Sequence, residues 1–226
     1  MLARILPFGL YMLFLLVSQT IGWFGQTNEW QPSLTESIQL WIYPIKTLVV
    51  VTALLCYWGQ YDELPWPPHL SFSSLMLAIG TGVLVYLAWV RMDWAWAVQG
   101  ERSAGYNPFL QEGTSGSILA AFRLFGAAIV VPIMEELFWR SFLMRYLISS
   151  RFETILLGTI TPLSFGLTIV LFGIEHDLWL AGMMAGTAYG LLLARTQNLW
   201  TCVIAHGITN LALGIHVLVT HEWYWW

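Results

Sequence analysis

Long apolar runs recur along the whole chain, and they leave room for essentially one kind of fold. A helix that crosses a bilayer needs about 20 predominantly apolar residues. Stretches of that kind fall at roughly 4–24, 36–58, 71–91, 117–141, 155–175, 178–194 and 199–219. Short polar links with proline join them, such as GQTNEWQPSLTE (25–36) and GQYDELPWPPHL (59–70). Of the 226 residues, 58% are hydrophobic and 10% charged, more apolar surface than a soluble domain of that length can hide. The expectation is an all-α, polytopic membrane bundle of about seven (six to eight) transmembrane helices, forming a single membrane domain over 1–226. The N-terminal run after Arg4 is read as a first span left in place, because no small-residue cleavage site follows it.

The remaining composition excludes several function classes. No basic patch or run points to nucleic acid. Cys56 and Cys202 each sit in an apolar run, with no spacing suited to a metal clip or disulfide framework, and read as core packing. Lys and Arg flanking the spans set orientation. Arg4, Arg145, Arg151 and Arg195 fall on one side, Arg91 and Arg102 on the other, which favours a cytoplasmic N-terminus. The longest link, 92–116, begins with Trp94 and Trp96, suited to anchoring at the interface. Gly182, Gly186 and Gly190, at every fourth position, make a ridge for close helix approach in lipid.

Against this background the stretch VPIMEELFWRSFL (131–143) stands out. A charge at a helix centre costs roughly 2.5–3.5 kcal/mol on insertion scales. Glu136 and Arg140, four apart, share a face and can neutralise one another. Glu135 is rotated by about 100° and lacks that partner. Pro132, one turn earlier, is placed to bend the helix and open space. One reading is a buried salt bridge that locks helices; the second glutamate turns the balance toward function. Downstream, Phe172 and His176 lie at one-turn spacing, as do His206 and Asn210. A carboxylate, two imidazoles and an amide are what hydrolysis requires: a base for water and donors for an oxyanion.

The three motifs read EExxxR (Glu135, Glu136, Arg140), FxxxH (Phe172, His176) and HxxxN (His206, Asn210). In this order, on successive membrane helices, they resemble the CPBP intramembrane protease family, which includes the type II CaaX prenyl endopeptidases. The short chain and its first motif also resemble a bacterial subgroup linked to exosortase-type sorting. The resemblance covers about 117–215, a protease-like core; residues 1–116 carry no motif and have no assigned role. It implies an intramembrane endopeptidase acting near a membrane surface, in the plasma (inner) membrane if the host is bacterial. Glu135 would activate water, His176 would hold it, Glu136 and Arg140 would brace the site, and His206 with Asn210 would stabilise the oxyanion. Its partners would be a membrane-associated protein or peptide substrate and the lipid bilayer. Zinc held by His176, His206 and Glu135 stays open, as does a metal-free route; no HExxH motif is present.

Several points stay open at this level. Glu175 and Asp177 flank His176, either as orienting partners or, the preferred reading, as the end of a helix in water. His69 and His221 read as solvent or interface groups, and His216 as an outlying neighbour of the site. With straight helices, His176 would stand more than roughly 15 Å from Glu135 and His206, unless its segment starts late, near Pro162, or tilts steeply. Rival readings are a transporter or proton relay, a bis-histidine haem protein through His176 and His206, and a scaffold with no chemistry.

Overall fold

The computed structural model describes residues 1–28, 30–100, 105–111 and 113–226. Arg102, used above for orientation, lies outside the described residues. Seven helical segments appear, with no strand among the described residues. They are α1 (Leu2–Thr27), α2 (Pro32–Tyr57), α3 (Phe72–Trp89), α4 (Thr114–Tyr146), α5 (Pro162–Ile174), α6 (Trp179–Thr196) and α7 (Leu199–Thr220). Five of them, α1 to α4 and α7, are long and apolar enough to cross a membrane. The protein is an integral, multi-pass membrane protein.

Two segments depart from the expected spans. α5 starts at Pro162 rather than 155 and is only 13 residues long. A Thr161–Ser164 capping box and a proline at its first position fix that start, since proline needs no N–H there. α6 has 18 residues, but its glycines and Arg195 dilute its hydropathy below that of the five spans. It tolerates this because one face, including Gly182, Gly186, Tyr189 and Gly190, is buried against other helices.

The distribution of side chains is that of a membrane bundle. Leu55, Leu84, Leu163 and Val219 lie exposed on the outer faces, while Glu135, Glu136, Arg140 and His206 are buried. Cys202 is buried, as expected, but Cys56 is exposed on the outer face and is not core.

Helix alternation gives the bundle two ends. At one end, with Met1, Arg4 bonds Glu63 at 2.6 Å and Asn198 donates to the carbonyl of His69 at 2.8 Å. At the other, Gln99 N–H donates to the carbonyl of Asp177 at 2.7 Å. The Gln99 amide also donates to the carbonyls of Ile174 and His176, clamping the end of α5.

Candidate active site

The site is built around an irregular α4. Two π-helical turns, Gly126–Val130 and Leu137–Leu143, flank the α-helical turn Val131–Glu136. The first of these turns follows from Pro132, which supplies no N–H. Val131 N–H bonds the carbonyl of Gly126, five residues back. In that register Ala127 looks to residue 132 for its donor and finds none. Asn210 of α7 supplies it, its Nδ2 lying 2.8 Å from the Ala127 oxygen. One turn earlier on α7, Gly207 leaves room for the neighbouring carbonyl: a Cβ there would sit 2.7 Å from the Ala128 oxygen. The bend thus draws α7 and its histidine against α4.

Glu136 and Glu135 then take opposite roles. Glu136 is fully buried, and its Oε1 accepts from Arg140 Nη1 at 3.1 Å and from His206 Nδ1 at 2.9 Å. The Arg140 guanidinium lies 4.2 Å from the Phe172 ring centre and 5.4 Å from that of Tyr189. Tyr189 stacks on His206 at 5.1 Å and donates its hydroxyl hydrogen bond to Thr209, which donates in turn to the carbonyl of Gly82. The pair expected from the four-residue spacing is formed, and His206 joins it. Glu135 has no such company: its Oε2 is buried without a hydrogen-bond partner among the described residues.

Glu135 lines a cavity of about 190 Å³ together with His176, His206 and Asn210. The late start of α5 brings His176 there and removes the long gap that straight helices implied. The glycine ridge of α6 holds α5 close. A Cβ on Gly182 would lie 3.0 Å from Gly173 Cα and 3.2 Å from His176 Nδ1, and one on Gly186 would lie 3.2 Å from the Phe172 ring. His176 Nδ1 is 2.7 Å from the carbonyl of Phe172. A carbonyl only accepts, so Nδ1 carries the proton, and in the neutral ring Nε2 is left as an acceptor.

The motif-bearing stretch can be compared with known proteins on this footing. Residues 117–212 match the family described as Type II CAAX prenyl endopeptidase Rce1-like. Over that stretch, under half of the chain, the sequence is similar to that family. No curated protein and no solved structure matches it. All six candidate residues, Glu135, Glu136, Arg140, His176, His206 and Asn210, fall inside the Rce1-like stretch.

The surroundings of this site correct several sequence readings. Glu175 does not mark a helix end in water: it is half-buried and accepts from Trp139 Nε1 at 3.0 Å, whereas Asp177 is exposed. His216 bonds Tyr86 at 3.1 Å and does not line the cavity. His69 and His221 are exposed. Tyr11, Tyr43 and Trp89 complete the cavity wall, so all three motif-free helices contribute to it. Tyr189 and Arg123 were missed from sequence, although Tyr189 follows the glycine ridge and Arg123 is a charge within an apolar span.

The zinc candidates Glu135, His176 and His206 share the cavity but not a ligand geometry. Among the described residues no group of three His, Cys, Asp or Glu side chains is placed to hold a metal ion. His206 and His176 each bond through Nδ1 and keep Nε2 open, as metal-binding imidazoles also do, so only the relative placing of the three side chains counts against zinc. The residues as placed do not fit a three-ligand zinc centre.

Proposed function

We propose that the protein is an intramembrane endopeptidase. The observation that supports this reading most directly is Glu135, a buried carboxylate with one oxygen unpaired, lining a cavity roomy enough for water together with two imidazoles and an amide. The Rce1-like match agrees with it.

In this reading Glu135 takes a proton from a water molecule whose other hydrogen is held by His176 Nε2. The oxygen attacks the scissile carbonyl carbon, and negative charge gathers on the carbonyl oxygen. His206 and the second amide hydrogen of Asn210 stabilise that oxyanion. With Nδ1 bonded to Glu136, His206 donates from Nε2 only when the ring is doubly protonated. Glu135 then delivers its proton to the leaving amine. Glu136 and Arg140 hold His206 in place and touch no reacting atom.

The protease-like core would span 117–215, with 1–116 supplying cavity walls. The substrate would be a membrane-associated protein or peptide cut near the surface. A cytoplasmic N-terminus follows from the basic residues at the Met1 end, Arg4, Arg145, Arg151 and Arg195. In a bacterial host the membrane would be the plasma membrane. The test is mass spectrometry of membrane-protein termini from cells carrying the wild type or Glu135→Gln at equal abundance. New termini should vanish with the variant; unchanged termini would refute the assigned role.

A further inference from the structure

A second cavity, of about 910 Å³, lies beside the first. It sits between α1, α2 and the segment 105–111, and shares Tyr43, Arg123 and Trp226 with the Glu135 cavity. Two cations line it. Lys46 is 3% exposed, and its ammonium lies 3.8 Å from the Tyr11 ring centre and 4.7 Å from that of Tyr43. Arg123 spreads its guanidinium toward Tyr43, Tyr106 and Trp226, at 4.5, 5.4 and 5.8 Å. Its Nε is buried with no hydrogen-bond acceptor.

These two differ from the buried cations of the candidate active site and the Met1 end. Arg4 and Arg140 each hold a carboxylate, Glu63 and Glu136, and Arg145 lies 3.8 Å from Glu63. Lys46 and Arg123 have no carboxylate partner among the described residues. Glu36 lines the same cavity but is exposed and pairs with neither. Aromatic faces stabilise a cation but accept few of its hydrogen bonds. Two basic side chains packed on the same Tyr43 ring, one of them buried and neither with an anion, form an incomplete site. An oxyanion between them would complete both.

We propose that Lys46 and Arg123 form a subsite for a carboxylate of the peptide substrate, borne by a chain end or an acidic side chain. The assignment rests on the endopeptidase reading for its occupant. Arg123 borders both cavities, so a peptide whose scissile bond lies at Glu135 extends past it into the larger space. A volume of about 910 Å³ is within the range of sites that enclose ligands of several hundred daltons. Apolar Phe14, Leu15 and Leu110 beside the cations suit a greasy segment that carries one negative group.

The test uses full-length Glu135→Gln protein in phosphatidylcholine nanodiscs, so that binding is read without turnover. Three probes are compared: an acetylated apolar tetrapeptide with a free carboxylate end, its terminal amide, and that amide with one aspartate. At least one acid should bind about tenfold tighter than the plain amide. The preference should fall to near unity in Lys46→Met and in Arg123→Gln, both checked for unchanged thermal unfolding. Should either variant fail to fold, Lys46→Gln or Arg123→Met replaces it. Whichever acid is preferred identifies the source of the carboxylate. Equal binding of all three peptides, or a preference that survives both substitutions, overturns the proposal. So does stabilisation by phosphatidylglycerol nanodiscs that needs both cations, with no acid preference, since the occupant is then a lipid headgroup. Cleavage by the wild type is scored separately, so cleavage intact with no acid preference before Lys46 or Arg123 is changed removes this subsite and leaves the role of Glu135 standing.

Discussion

Asn210 donates to the carbonyl of Ala127, the group that Pro132 leaves without its backbone donor. A residue that sequence motifs mark for chemistry is therefore also a splice between α4 and α7. Asn210→Ala leaves a part-buried carbonyl without its protein donor, a loss of about 1–3 kcal/mol. Asn210→Asp is worse when ionised, because it places an acceptor against an acceptor. Thermal unfolding in detergent should rank wild type above Ala and Ala above Asp. Stability unchanged in all three would contradict the splice.

The two adjacent glutamates separate stability from chemistry. Glu136 is shared by Arg140 and His206 in a site with no exposure. Glu136→Leu strands a buried guanidinium, and unfolding should become easier by about 3–5 kcal/mol. Glu135→Gln removes a carboxylate whose Oε2 has no partner to strand, so unfolding should change by less than about 1 kcal/mol while cleavage is lost. The paired measurement is unfolding and peptide cleavage on the same preparations. A Glu135→Gln protein as unstable as Glu136→Leu would undo the distinction.

The position of His176 depends on how tightly α6 meets α5. A methyl on Gly182 would press on Gly173 Cα and on His176 Nδ1, while one on Gly166 would meet nothing within 4 Å. Gly182→Ala should lower cleavage at least tenfold with a stability loss of about 1–3 kcal/mol, as overpacking does. Gly166→Ala should leave both unchanged. Equal activity of the two variants would mean that α5 has slack and that the ridge does not position His176.

Much of this was legible because a charge inside an apolar run is conspicuous. Glu135, Glu136, Arg140, His176, His206 and Asn210 could each be picked out by type and spacing, and the structure brings them around one cavity or its brace. The boundary of α5 was not legible from hydropathy. Residues 155–161 include Ile155, Leu156, Leu157 and Ile160, as greasy as a helix, and only the Thr161–Pro162–Ser164 cap sets the start. Glu175 looked like a water-facing terminus because its partner, Trp139, lies 36 residues away on α4. Lys46 and Arg123 belong to no motif, and their nearness is a product of how α2 and α4 pack.

The end of the bundle that carries Met1 makes a prediction about acid. Glu63, in the link between α2 and α3, has a side chain only 5% exposed. Burial alone would push its carboxyl up. The hydrogen bonds from Arg4 and Ser141, with the charge of Arg4, outweigh burial and hold it below the ordinary carboxylate value. A carboxyl whose folded value is depressed adds stability above the unfolded value of about 4.3 and loses it as pH falls toward the lower folded value. Unfolding curves for wild type and Glu63→Gln should thus differ most near neutral pH and converge as pH drops below about 4. Ser141→Ala should shrink the difference, since it removes one of the groups that favour the ionised form. A gap that stays constant from neutral to acid pH would mean that Glu63 contributes packing rather than charge.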